Sequence, residues 1–510
     1  MHTSFTHPDL PARSVLDALA AAGFEVGAPS VVTRQVIDTF DGRLHDAGLR
    51  LEHRVGTAAE LVLNGPVGAP AAHLAWSKPA PSLGHHLPPG PFRERVAARS
   101  QERALLPLLT LTTHTRVVSK RDRRGKATVA VVVHDGPTVA DHPAELPTWV
   151  AEVVGVAGHD DAFAGAIARL SMLGLVATED DMVGVVARAA GVSLAGRTSS
   201  PSVRLAARDD ALLAYRAVLA NLAHTIDDNL PGTVADTDPE FLHELRVAVR
   251  RTRSLLNQAK GVLPEDVRGH FAAAFGHLGT VTSPARDLDV YVLGWSSMVA
   301  PLQLPDPRVL DRVRQEIERR RNAAHATLAK DLSGPTCRGT LDAWRAWLAD
   351  PAVESASPRP IGPVAARRIA KAQAAVLAHG RAITPASPPE ALHDLRKDAK
   401  KLRYLLECFG GLLPTKPGKA FVGKLKVLQD NLGAHQDAEV QLAELRTLAH
   451  DLHKRAKVDI DTLLAMGRLS DLLDRRRQEE RDAFVDRFAS YDTKTNRAAL
   501  ATLLADAEAV

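Results

Sequence analysis

The chain has 510 residues, 45% hydrophobic but 4% aromatic, and its 64 Lys and Arg against 60 Asp and Glu leave a formal net charge of +4. That length predicts two to four domains, the aromatic-poor composition argues against an all-β fold, and the near balance of charge excludes anion capture by a whole-molecule field. Two cysteines, Cys337 and Cys408, exclude a disulfide framework or metal finger, and neither a leader nor an apolar run of about 18 residues is read, so a soluble, cytoplasmic protein without membrane insertion is expected.

Residues 10–22 are amphipathic and stop at Gly23, the pattern of a glycine-terminated helix. Residues 31–40 are β-branched and strand-like, Asp41-Gly42 turns the chain, the helical turn RLHDAG ends at Gly48, and 49–55 alternate as a second strand. Further strands are predicted at 60–63, 73–77, 111–118 and 127–134, the last two flanking the turn DRRGK, and a helix at 162–173 closes the region. Strands interleaved with helices give an α+β, antiparallel domain over 1–190.

The stretch VIDTFDGRLHDAGLRLEHR (36–54) resembles the second-strand region of the CYTH family, the triphosphate tunnel fold. The resemblance runs more loosely through PFRERV, LLTLTTHTRVVSKRDRRGK and the closing helix, over about residues 1–175. It implies a tunnel-like barrel. Active members carry an ExExK motif in the first strand, whose acids help bind divalent metal. Residues 1–30 have no such pattern, and AELPTWVAEVVGV keeps Glu145 and Glu152 without paired-acid spacing. The expectation is therefore a degenerate tunnel with no metal, cofactor or catalytic residue. Tunnel-like basic positions survive at Arg50, Arg54, Lys78, Arg93, Arg95, Arg116, Lys120 and Arg121. In the family alternate strand positions contact phosphates, and Arg50 and Arg54 share a strand face. These positions read either as outward surface charges or as residual phosphate contacts.

A small, polar linker follows over 191–204, and 205–500 reads as helices. These fall near 203–228, 239–259, 265–278, 286–299, 307–332 and 340–348, then, after a proline-rich break, near 364–379, 389–409, 416–432, 437–454 and 459–491, with a tail helix. The halves 205–350 and 364–500 repeat one another. FLHELRVAVRRTRSLLNQAKGVLP (241–264) and ALHDLRKDAKKLRYLLECFGGLLP (391–414) align without a gap at an offset of 150 residues, and the offset extends to Asp287/Asp437, Asp289/Glu439 and Val290/Val440. A duplicated helical domain is expected, as two four-helix-type bundles related by a pseudo-two-fold.

Within each copy Leu242, Leu245, Val249 and Leu256, or their counterparts, form a packing seam. One residue later, about 100° round the axis, runs a basic stripe: His243, Arg246, Arg250 and Arg253, with Arg251 beside it. The second copy has His393, Arg396, Lys400 and Arg403, widened by Lys397 and Lys401. A solvated face whose stems cover the core edge would account for one such row. Two rows in register favour a polyanion site. Arg320, Arg367, Arg368, Lys371 and Arg476 are further candidates for its walls. Asp287 and Asp289, with Asp437 and Glu439, could suggest a metal site, but residues two apart do not share a helix face, and Asp287 and Asp437 are read instead as helix-dipole or ion-pair partners of the basic helices.

The paired HELR/HDLR helices, with RDLDV (286–290) and LQDNLGAHQDAEV (428–440), resemble the CHAD family, the conserved-histidine α-helical domain, over about 205–495; a CYTH-like domain preceding a CHAD domain is a known arrangement. The resemblance implies binding of inorganic polyphosphate in a basic groove or pore between the two halves, through the eleven stripe residues named above, and association with polyphosphate granules is the accompanying expectation. The residues alone leave three alternatives: a histidine phosphotransfer bundle using His243 or His393, nucleic-acid binding, against which the scarcity of aromatics argues, and residual triphosphate hydrolysis in the first domain.

Overall fold

The computed structural model describes every residue except 1, 8, 66–70, 141–145, 147, 198–202, 354–357, 456–457 and 509–510, and not the side chains of 307 and 415. Glu145 and the centre of the linker thus lie outside the described residues. Two compact units result, Met1–Thr198 and Ser199–Val510.

The first unit is an antiparallel sheet of β1 (His2–Thr6), β2 (Glu25–Val26), β3 (Ser30–Thr39), β4 (Arg50–Val55), β5 (Ala59–Asn64), β6 (Ala72–Ala75), β7 (Leu105–Arg121), β8 (Ala127–Val139), β9 (Val150–Gly155) and β10 (Val176–Thr178). Its order is β10-β1-β9-β8-β7-β3-β4-β5-β6, with β2 paired to β7 off that path. The arrangement is compatible with a tunnel-like fold. Strands β1, β2 and β10 escape the sequence reading because pieces this short carry little periodicity. Among the described residues five α-helices accompany the sheet: α1 (Ala12–Ala21), α2 (Arg43–Asp46), α3 (Pro91–Ser100), α4 (Asp160–Met172) and α5 (Met182–Ala189). Alternation along β9 separates the two faces. Ala151 and Val153 pack under α1 and α4, whereas Val150 joins Val36, Leu109 and Leu111 beneath Met182, Val183 and Val186 of α5. Arg93 and Arg95, counted among the tunnel-like basic positions, lie on α3, where Pro91 at the first helical position favours a helix.

The second unit is all helical: α6 (Ala211–Val234), α7 (Pro239–Gln258), α8 (Glu265–Val281), α9 (Ser283–Val299), α10 (Asp311–Ser333), α11 (Pro335–Ala349), α12 (Ile361–Ala382), α13 (Pro389–Cys408), α14 (Thr415–Lys454), α15 (Ile460–Tyr491) and α16 (Lys494–Glu508). None of the described helices is long and apolar enough to cross a membrane. A reciprocal pair of backbone bonds marks the pseudo-two-fold. The Ala211 amide donates to the Arg359 carbonyl at 2.8 Å, and the Ile361 amide donates to the Asp209 carbonyl at 2.8 Å. Each bond is the other displaced by the repeat offset.

Several helix boundaries differ from expectation, and the start of α6 and the extent of α14 have the clearest physical reasons. The first helix starts at Ala211, not near 203, because the Asp210 carboxylate caps it by accepting from the Leu212 and Leu213 amides. Residues 416–432 and 437–454 are one 40-residue helix. Gly433 does not break it, and the neighbouring Asn431 side chain is held by Glu480 and does not cap a new start. As a result Asp437 sits mid-helix, which removes its expected role at a helix N-terminus. Continuity of α14 also carries the second half through both hydrophobic cores. One core joins α6, α7 and α8 to α12, α13 and the start of α14; the other joins α9 and α10 to the end of α14 and α15.

Candidate functional site

Helices α7 and α13 pack directly against each other. Asp238 caps α7 through the Glu240 and Phe241 amides, and Pro239 and Pro389 open the two helices. The seam is buried in both copies: Leu242, Leu245, Val249 and Leu256 in one, Leu392, Leu395, Ala399 and Leu406 in the other. Burying this seam fixes the rotation of each helix and therefore the direction of its basic stripe.

Arg246 and Arg396 are held in equivalent ways. The Arg246 guanidinium donates to the Gly279 carbonyl at 3.2 Å and to the Thr282 and Ser283 hydroxyls at 2.8 and 3.1 Å. Arg396 donates to the Gly433 carbonyl at 3.1 Å and approaches Asp437 at 3.5 Å. Burial, with Arg250 adding to it, lowers Arg246 to about 10. Arg396 is lowered by burial too, and Arg250, on the facing helix, contributes.

Lys400 is the centre of this arrangement. Its half-buried amine makes no hydrogen bond or ion pair among the described residues. Burial above all, with Arg396 and then Arg250 adding to it and Asp437 opposing, lowers it to about 7. Cations from both halves therefore act on one amine. The acids converge as well: Asp287 is raised by loss of water, pulled back by Arg246, Arg250 and Arg286, and raised again by Asp437. Asp289 has a different fate, since it is buried and bound to Arg321 at 2.8 Å and His325 at 2.9 Å.

The remaining stripe residues divide by environment. Arg251 crosses from α7 to Glu407 of α13 at 2.7 Å, whereas the equivalent Lys401, for which the repeat offset puts Asn257 in the place of Glu407, forms no ion pair among the described residues. Arg253 is exposed beside Gly276. Arg403 lies 3.5 Å from Glu407, and Lys397 pairs with Asp394 at 3.0 Å. His243 is half-buried, while exposed His393 bonds Gln436 through Nδ1.

Among the wall candidates, Arg320 is engaged by Glu316, Glu444 and Asp451 at 3.3, 3.4 and 2.7 Å. Arg368 donates to the Lys260 carbonyl at 2.6 Å. Arg367, Lys371 and Arg476 are exposed. The sequence reading overlooked Arg286, which acts on Arg246 and donates to the Pro239 carbonyl at 3.3 Å. Its place in RDLDV was the available signal, passed over in favour of the neighbouring acids.

In the first unit Arg50, Arg54 and Arg121 among the surviving basic positions meet protein carboxylates. Fully buried Glu52 accepts from Arg50 Nε, Arg54 Nε and Asn64 Nδ2, each at 2.8 Å. Asp181 caps α5 through the Gly184 amide and takes the Arg50 guanidinium at 3.1 Å. Burial works to raise Glu152, but His134 and His2 hold it well below the carboxylate range. Arg34, also overlooked, is buried against the Thr113 hydroxyl at 3.0 Å. Lys78, Arg116, Lys120 and Arg121 are partly or largely exposed, with Arg121 paired to Glu25 at 2.8 Å. No group of three or more metal-ligating side chains occurs among the described residues.

No curated protein matches the chain. Among solved structures it is similar to the CHAD domain from the plant Ricinus communis, at 23% identity and a TM-score of 0.46, covering 60% of this chain and 96% of that one. It is also similar to PptA from Streptomyces chartreusis, at 17% identity and a TM-score of 0.43, covering 55% of this chain and 100% of that one. Residues 217–446, spanning both basic helices, match the CHAD domain family, and the helical unit of this protein therefore contains a CHAD domain.

Proposed function

We propose that the helical unit binds inorganic polyphosphate, without catalysis, where the stripes of α7 and α13 meet. The observation that carries this reading is the action of Arg250 on both Arg396 and Lys400 across the two helices. A phosphate chain bears roughly one negative charge per unit, so it rewards repeated cations about one helical turn, 5.4 Å, apart. Arginines supply forked contacts to phosphate oxygens and lysines supply point charges. Bringing these like charges together costs stability in the free protein, and an anion between them removes that cost. A phosphotransfer role is less well supported, because His393 is bonded to Gln436 and His243 is half-buried.

The test uses the full chain and polyphosphate of defined length. Charge-assisted hydrogen bonds contribute about 1.5–3 kcal/mol each, so Arg250→Glu combined with Lys400→Glu should weaken binding by at least about a hundredfold. Circular dichroism should show the helical content unchanged. Affinity should also fall steeply with salt as counterions are released, by analogy with nucleic acids. Wild-type affinity in the folded double variant would refute the reading.

A further inference from the structure

We infer that a second cationic patch, where the end of α7 meets α12, takes the continuing length of a long polyphosphate whose first part lies on the stripes. Its members are Lys260, Arg359, Arg367, Arg368 and Lys371. Arg368 donates to the Lys260 carbonyl at 2.6 Å. A Cβ placed on Gly261 would stand 3.9 Å from the Arg359 guanidinium, so both arginines lie beside the segment that follows α7. Lys371, three residues beyond Arg368 and four beyond Arg367, neighbours both on the surface of α12. All but the half-buried Arg368 are exposed, and none of the five pairs with a carboxylate among the described residues. Two acids near them are engaged elsewhere. Asp210 caps α6 and accepts from the Arg359 amide at 3.2 Å, and Glu265 accepts from Arg268 at 2.9 Å.

The fold itself does not require this patch. The offset marked by the reciprocal bonds of Ala211 and Ile361 puts Gly410 in the place of Lys260, Asp209 in that of Arg359, Ala217 in that of Arg367, Val218 in that of Arg368 and Asn221 in that of Lys371. The same backbone is thus built once without a cation at these places and once with five. Crowded like charges are unfavourable in the free protein, and a polyanion removes that cost. Arg253, the last stripe cation of α7, precedes Lys260 by seven residues, about 10 Å along a helix. A long chain on the stripe can run on to the patch, whereas a short one fills the stripe and stops. Where the chain begins rests on the polyphosphate reading; the unpaired charge of the patch does not.

The experiment compares the full chain with a variant carrying Arg359→Asp, Arg367→Ala and Lys371→Asn, the residues that stand at the equivalent places of the first half. All three sites are exposed, and circular dichroism should show the helices intact. Binding is measured with tripolyphosphate and with polyphosphate of about 100 units, for which a second contact becomes intramolecular once the first is made. The variant should lose at least about tenfold in affinity for the long chain and less than about twofold for tripolyphosphate. The slope of log affinity against log salt should fall by about two for the long chain alone, as three phosphate contacts disappear. Equal losses at both lengths, or no loss at either, would overturn the inference. Long-chain binding that survives Arg250→Glu with Lys400→Glu but falls in the patch variant would uphold the patch and refute the stripe reading.

Discussion

Lys400 makes polyphosphate binding a proton-linked event. In the free protein its amine titrates near 7, against an ordinary value of 10.5, because it is buried among arginines. A phosphate placed between those cations favours the charged amine and raises its pKa, by about 1.4 kcal/mol for each unit restored. The bound state therefore holds more protons than the free state above pH 7. Affinity must then fall as pH rises, by up to about tenfold per unit until the bound pKa is reached. Between pH 7 and 8.5 the expected loss is about tenfold, and at pH 8 binding should take up about one proton. Calorimetry in two buffers of different ionisation enthalpy measures that proton directly. Lys400→Arg keeps a charge at every pH, so it should flatten the profile, and the difference between variant and wild type removes the end-group titration of polyphosphate itself. Identical profiles for the two proteins would refute the reasoning. Folding follows the same linkage: the unfolded lysine binds more protons between pH 7 and 10.5, so the stability cost of burying it is greatest below pH 7 and relieved as pH rises through that window.

Three other perturbations test the architecture. Asn257→Glu should recreate, opposite Lys401, the ion pair that Arg251 makes with Glu407; a gain of about 0.5 kcal/mol in urea unfolding is expected, and a loss would contradict the pseudo-two-fold. Glu52→Gln should leave Arg50 and Arg54 without their shared carboxylate and destabilise the first unit by about 2–3 kcal/mol. Faster hydrogen exchange in β3–β5, with polyphosphate affinity unaltered, would bear this out; unchanged protection would not. Gly380→Ala should place a methyl carbon 2.0 Å from the Phe488 ring. Overpacking of this kind costs about 1–3 kcal/mol, and a melting temperature equal to wild type would show that the ring yields freely.

Much of this protein was determined by local chemistry readable along the chain. The duplication, the helical character of the second unit and the buried seam of α7 follow from periodicity that repeats at one offset. The stripe follows too, because a residue one position beyond the seam must point about 100° away from it. Tertiary structure decided what each basic group meets. Arg250 and Lys400 look alike in sequence to Arg320 and Arg50, yet Arg320 is surrounded by three carboxylates and Arg50 by Glu52 and Asp181. Those partners lie from two to 131 positions away, and pattern along one helix or strand contains no information about distant partners. The depressed amine of Lys400 is likewise a product of burial and of a cation from another helix, 150 residues earlier. Electrostatic environment depends on distance in space, and that becomes definite when the two halves pack.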